Sequence, residues 1–337
     1  MLNQLIYFSL YHDTVTTKFW VSEENLPQVL LKSVTELPLL VYGRSGLLQK
    51  DINNPTKDDL WESLASPISS VYFDSANMDL YKERIKRSEG AKLFRIRWYG
   101  NKPKSEDKIF LELKTHHECW VDNKSGELIH GLICTTFGVA YVTSLPSYTA
   151  LPNLIAVKER VVLLEKNVAS LLIDTSSGMW SSEYAHELVK TASPNDKEDS
   201  VKEAAALLLE IRALICKYKL KPCVRTKYTR CAFQSASNNN LRLTIDRDIT
   251  VIDETRVVSG GSWCLEDDSV VPIDAIVKVP YGVFEVKVGG GEDPLFIHEL
   301  EESGAIIKAN KFSKFLTGAA IHNKKAVIML PWWASGK

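Results

Sequence analysis

The feature that most constrains this chain is a set of extended segments with one bulky apolar face and one charged face. In LFRIRW (93–98), Arg95 and Arg97 fall on one side of a strand, opposite Phe94, Ile96 and Trp98. IFLELK (109–114) sets Glu112 and Lys114 against Leu111 and Leu113. LRLTID (241–246) sets Arg242, Thr244 and Asp246 against Leu241, Leu243 and Ile245. VFEVKV (283–288) sets Glu285 and Lys287 against Phe284, Val286 and Val288. TTKFWV (16–21) places Lys18 opposite Phe19, and YTRCAF (228–233) places Arg230 with Tyr228 and Ala232. The usual fate of a charged strand face is solvent. Two features argue otherwise here. Arginine recurs, and its planar fork suits bidentate anion binding. The apolar faces are bulky enough to need a covering layer of helices. An antiparallel β-barrel inside an α+β fold satisfies both, with the charged face lining a wet, basic channel. Like charges crowded in such a channel persist when a polyanion neutralises them. Glu112 and Glu285 would suit a divalent cation that escorts phosphate oxygens.

The rest of the sequence sets the frame. At 337 residues the chain is one large domain or two ordinary ones, long enough to bury a core. Lys+Arg is 41 against Asp+Glu 42, so bulk positive charge for coating nucleic acid is absent and no nucleic-acid partner is expected. The six cysteines form no CxxC pair and the first residues lack a signal-peptide pattern, which together imply reduced thiols and a cytosolic setting. His116-His117-x-Cys119 has the look of a metal cluster but lacks a matching second ligand pair, so a polar strand end is the preferred reading. Gly289-Gly290-Gly291 is not followed by Gly-Lys-Ser/Thr and reads as a turn, not a phosphate loop.

Strands are expected at 16–21, 69–73, 92–98, 108–114, 223–234, 241–246, 275–288 and 326–330. Helices are expected from Ser22, as cap, to about Glu36, and over 79–88, 158–172, 201–220, 294–304 and 311–320. Residues 43–59 read as a loop and 191–200 as a polar linker. No Asp, Glu, Lys or Arg occurs between Glu127 and Lys158. That stretch exceeds the roughly 20 residues a membrane helix needs. Its His130, Pro146, Pro152, Asn153 and many Ser/Thr argue against such a helix.

Several long runs resemble the vacuolar transporter chaperone (VTC) polyphosphate polymerase domain, a branch of the triphosphate tunnel metalloenzymes. They are SVYFDSANMDLYKERIKRSEGAKLFRIRWYG (70–100), FLELKTHHECW (110–120), AVKER (156–160), YTRCAFQ (228–234), NLRLTIDRD (240–248), FEVK (284–287) and KFSKF (311–315). The resemblance runs over about 16–333, leaving an N-terminal extension (1–15) and a tail (334–337). It implies a barrel whose basic tunnel transfers the γ-phosphate of ATP to a growing polyphosphate chain and releases ADP. It implies catalytic roles for Arg95, Arg97, Lys114, Arg230 and Lys287. Substrate would be held by Lys18, Lys158, Arg160, Arg242, Lys311 and Lys314, the last two on one helix face, with Arg84 a weaker candidate. Glu285 would carry Mn²⁺ or Mg²⁺. The partners implied are ATP, polyphosphate and other VTC subunits with SPX and membrane domains, at the cytosolic face of a vacuole or acidocalcisome.

The sequence also departs from the family pattern. Residues 128–155 are extra, either a lineage-specific loop or a translated intron, which unsettles the placement of Lys158 and Arg160. Leu113 stands where the family usually has a basic residue. The SPX and membrane segments of full-length members are missing, as in an excised or truncated domain. Two alternatives remain open: a non-catalytic polyphosphate-binding subunit, and a tunnel triphosphatase. The latter usually carries ExExK on its first strand, where TTKFWV has only Lys18.

Overall fold

The computed structural model describes residues 15–40, 61, 64–100, 102–122, 128–130, 134–135, 138–139, 148–172, 180–237, 240–256, 263–264, 271–289, 291–309, 312–323 and 327; between 118 and 156 only the backbone is described. The strands are β1 (Val15–Val21), β2 (Ser66–Asp74), β3 (Lys92–Tyr99), β4 (Lys108–Asp122), β5 (Leu128–His130), β6 (Cys134–Thr135), β7 (Gly138–Val139), β8 (Tyr148–Leu164), β9 (Lys221–Gln234), β10 (Leu241–Asp253), β11 (Ile276–Lys278), β12 (Gly282–Val288) and β13 (Ile307–Lys308). The helices are α1 (Leu26–Glu36), α2 (Asp79–Lys86), α3 (Val168–Leu172), α4 (Ser182–Ala192), α5 (Glu198–Tyr218), α6 (Leu295–Glu302) and α7 (Lys314–His322).

One antiparallel sheet dominates, in the order β13-β1-β12-β10-β9-β2-β3-β4, with β4 flanked by both β8 and β5. The alternation read from sequence decides which face is covered. Phe94, Ile96, Trp98, Leu111, Leu113, Val161 and Leu163 point outward and are buried under α3, α4 and α5. Phe19, Leu241, Leu243, Ile245, Phe284 and Val286 point outward on the other flank, under α1 and α6. The opposite face is therefore turned inward, and the sheet curls around it. Lys114 on β4 interacts electrostatically with Lys18 on β1 and Glu285 on β12, although β1 and β4 lie far apart in strand order. The fold is α+β, a curled antiparallel sheet forming a tunnel with a basic lumen, covered by helices; among the described residues the ladder does not close on itself.

At one end the lumen is filled by apolar side chains. Phe312 packs with Ile68, Tyr228, Ile249 and Val283, and the Trp20 ring meets Phe312 tilted by 60°, with centroids 4.3 Å apart. The following helix, α7, lies on the inner side of β9 and β10. Gly318 permits that approach: a Cβ there would come within 2.5 Å of Val224 and 2.7 Å of Val251. Ser313 caps α7, its hydroxyl accepting from the Leu316 N–H at 3.4 Å.

Several sequence expectations are corrected. Residues 158–164 are strand, not helix; only 165–172 are helical, as a 3-10 turn and the short α3. Val161 and Leu163 face the core at period two while Lys158 and Arg160 face the lumen, because the ladder to β4 fixes the register. The expected strand over 275–288 is two strands, β11 and β12. Helix α4 is not among the expected helices, and it takes up the start of the expected linker at 191–200. Helix α1 starts at Leu26, with Asn25 as N-cap; Ser22 accepts from Asn25 and closes only the preceding turn. Helix α7 runs over Lys314–His322, starting later than the expected 311. In the uncharged stretch, the described residues are strand. β4 continues to Asp122, paired with Tyr148, and among the described residues no helix is long and apolar enough to cross a membrane. Residues 1–14, the loop 43–59, Gly290, Lys311, the tail, and all of 326–330 except Val327 lie outside the described residues.

Candidate functional site

Lumen-facing positions on neighbouring strands fall into register and build three clusters, each centred on a carboxylate. The first is Glu112, which is 0% exposed. Arg95, its cross-strand partner on β3, donates to Oε2 from Nε at 2.7 Å and Nη2 at 2.5 Å. Arg160, its partner on β8, donates to Oε1 at 3.0 and 2.5 Å. Lys158 reaches Oε1 at 3.4 Å, and Arg97 stands 3.9 Å from Oε2. Burial alone would raise the Glu112 pKa; Arg95, Arg97, Lys158 and Arg160 overcome it and hold the carboxyl well below its ordinary range. The remaining donors of the β3 arginines are also fixed. Arg95 Nη1 donates to Tyr72 Oη at 3.0 Å. Arg97 donates to Ser70 Oγ at 3.1 Å and Tyr228 Oη at 3.0 Å.

The second centre is Asp246 on β10, paired in register with Arg230 on β9. Arg230 donates through Nε at 2.5 Å and Nη2 at 2.8 Å, and Lys314 at the start of α7 donates at 2.5 Å. Lys314 also lies over the Tyr228 ring, 4.6 Å from its centre. The third centre is Glu285. Lys18 stands 3.9 Å from one oxygen and Lys287 3.6 Å from the other, both beyond hydrogen-bonding range. Lys18 instead donates to the Phe312 carbonyl at 2.8 Å. Burial would raise the Glu285 pKa, but Lys18, Lys287, Arg230 and Lys114 hold it far below the usual value.

Lys114 lies between these clusters. Its pKa is pushed well below 10.5 by burial and by repulsion from Arg95 and Lys18, despite Glu112 and Glu285. The Lys158 pKa falls to about 8 through burial and repulsion from its arginine neighbours, partly offset by Glu112. Lys158 and Lys287 are the more open members, with side chains 45% and 46% exposed.

The structure thus brings together Lys18, Arg95, Arg97, Lys114, Lys158, Arg160, Arg230, Glu285, Lys287 and Lys314. Arg242 sits on an exposed stretch beside Lys287, apart from the three clusters. Arg84 lies on α2 and donates to the Ala91 carbonyl, outside the clusters. Lys311 lies outside the described residues. His117 bonds Glu89 at 2.8 Å, and among the described residues no three His, Cys, Asp or Glu side chains gather as a metal site.

The arrangement is a set of guanidinium forks held at fixed angles by buried carboxylates and phenols, a geometry suited to binding anions. A family model for the VTC domain matches residues 13–129 and 152–323. The chain belongs to the VTC domain family. This VTC domain is 29% identical over 331 residues to the vacuolar transporter chaperone complex subunit 4 of Schizosaccharomyces pombe, spanning 94% of this chain and 38% of that protein. It is 31% identical over 333 residues to subunit 4 of Trypanosoma brucei brucei, spanning 95% of this chain and 36% of that protein. The VTC domain therefore spans little more than a third of the relatives' own length. A solved structure from Hippeastrum, described as an adenylyl cyclase with dominant triphosphatase activity, is similar at TM-score 0.40 and 11% identity, covering 91% of this chain and 95% of that one.

The carboxylates divide by availability. Glu112 and Asp246 are saturated by bidentate arginines, so the expectation that Glu112 helps hold a cation is corrected. Glu285, its pKa held low, is partly exposed and hydrogen-bonded by neither lysine, so its carboxylate oxygens are available to a divalent cation such as Mg²⁺ or Mn²⁺. Asp246, Tyr72, Tyr228 and Ser70 were not singled out as site residues from sequence. Strand parity was the available signal, since each shares the inward face with a predicted cation.

Proposed function

We propose that this VTC domain is an ATP–polyphosphate phosphotransferase that extends polyphosphate within its tunnel. The observation that carries this reading is the surplus of fixed positive charge. The lumen cations outnumber Glu112, Asp246 and Glu285, and the crowding contributes to suppressing protonation of Lys114. A polyanion drawn along the lumen would relieve that repulsion.

Phosphoryl transfer needs positioning and charge neutralisation more than covalent help from the protein. Arg95, Arg97, Lys114 and Arg230 would hold the triphosphate of ATP, with Lys287 beside Glu285. The terminal oxygen of a primer phosphate would attack the γ-phosphorus in line. The bond from that phosphorus to the β–γ bridging oxygen breaks, and ADP leaves with the electron pair. A divalent cation on Glu285 would supply neutralisation of phosphate-oxygen charge. Lys18, Lys158, Arg160, Arg242, Lys311 and Lys314 would hold the rest of the chain. Other VTC subunits are the proposed partners, at the cytosolic face of a vacuole or acidocalcisome.

Alanine at Arg95 or Glu285 tests the assignment. Loss of a preorganised charge contact typically costs about 10²–10³ in rate. Synthesis at the wild-type rate in either folded variant would refute the site.

A further inference from the structure

Among the described residues, two inward-facing hydroxyls on the tunnel wall are buried without a hydrogen-bond partner, those of Thr226 and Thr244. A buried hydroxyl left unpaired costs free energy comparable to a lost hydrogen bond, so each calls for a physical reason. Thr226 is opposite Ser70 and Val251, with no carboxylate beside it in register. Thr244 is different. It is 6% exposed, and its cross-strand partners are Ala232 on one side and Glu285 on the other. Ala232 offers no polar group. Asp246, two residues along on the same face, is occupied by Arg230 and Lys314. The polar neighbour left in register is the Glu285 carboxylate, the proposed cation ligand. Side chains directly opposite in an antiparallel pair have Cβ atoms about 4.5–5.5 Å apart, close enough for two oxygens to share one ion. Lys18, across β1, donates to the Phe312 carbonyl, and neither it nor Lys287 hydrogen-bonds the Glu285 carboxylate.

We propose that the Thr244 hydroxyl is a second protein ligand of the divalent cation held by Glu285, which rests on the phosphotransferase reading above. A hard cation accepts neutral hydroxyl oxygen, and in phosphate-loop folds a serine or threonine fills this role. One carboxylate and one hydroxyl would leave the remaining positions to phosphate oxygens and water. Thr244 also explains why one carboxylate is enough in this lumen. A second acidic ligand would neutralise part of the field that holds the phosphates.

The test is Mn²⁺ uptake by the purified full chain, without nucleotide, read from loss of the free-ion electron paramagnetic resonance signal. Thr244→Val should weaken Mn²⁺ binding on the order of ten-fold, as metal-site supports do. Thr244→Ser should restore it, and Thr226→Val should leave it unchanged. Thermal melts of each variant separate lost folding from lost ligation; if Thr244→Val melts early, the Thr244→Ser comparison with Thr244→Ala replaces it. Wild-type affinity in folded Thr244→Val, with Glu285→Gln impaired, overturns the Thr244 assignment alone. No Mn²⁺ uptake by wild type overturns the whole cation site. Mn²⁺ uptake that depends on Thr244, from a chain that makes no polyphosphate, supports the ligand and refutes the phosphotransferase reading instead.

Discussion

Replacing Glu112 with Gln keeps the side-chain shape and removes one charge from the centre of four cations. Arg95 and Arg160 each lose the charged oxygen that takes two of their N–H groups, and Lys158 and Arg97 lose a nearby counter-charge. Removing one partner of a buried ion pair costs about 3–5 kcal/mol, because the cations left behind stay desolvated. At about 2 °C per kcal/mol for a domain of this size, Tm should fall by about 6–10 °C. The control is Glu106→Gln. Glu106 pairs with Lys166 at 2.9 Å, with side chains 72% and 45% exposed, so its loss should cost well under 1 kcal/mol. Tripolyphosphate should stabilise Glu112→Gln more than wild type, because it supplies the missing negative charge to the same guanidinium groups. The assay is a thermal melt of the three proteins with and without tripolyphosphate. A Glu112→Gln melt no lower than that of Glu106→Gln would refute the claim that Glu112 organises the cation cluster.

Three further outcomes are expected. Glu112, Glu285 and Asp246 all have folded-state pKa values below their ordinary ones, so their stabilisation is fully present above about pH 4 and is lost as pH falls through the depressed values; acid denaturation of Glu112→Gln should therefore show a shallower pH dependence below pH 4 than wild type. With its pKa near 8, Lys158 carries its charge at neutral pH and loses it above, so tripolyphosphate affinity measured by calorimetry should drop as pH rises through about 8 in wild type, whereas Lys158→Met should be weaker at pH 7 and lack that step. Gly318→Ala forces a Cβ into Val224 and Val251, and overpacking of this kind costs about 1–3 kcal/mol, so a urea melt should show a lower midpoint.

How far the sequence carries depends on the element. β3, β4 and β12 are legible because a one-residue slip would turn their charged side chains into the helix-covered core and their bulky apolar ones into the lumen, which leaves a single sensible orientation. β8 is misread because Val161, Leu163, Leu164, Val168 and Leu171 satisfy a helical spacing as well as alternation, and the choice falls to the β4 ladder, which no local window contains. The start of α7 turns on Ser313 acting as a cap, which places the helix start three residues after the expected 311. The cations of the site follow from parity and from the resemblance to the VTC family. The roles of Glu112 and Asp246 do not, since each depends on a partner from a distant segment, Arg160 on β8 and Lys314 on α7.

The most direct test of the central claim is incubation of the purified chain with ATP, Mn²⁺ and a pyrophosphate primer. Products are resolved on a urea gel stained for polyphosphate, with ADP and free phosphate quantified alongside. The account predicts a polyphosphate ladder with ADP released in equal measure to phosphate incorporated. ADP and free phosphate without a ladder, or bound polyphosphate without turnover, would contradict it.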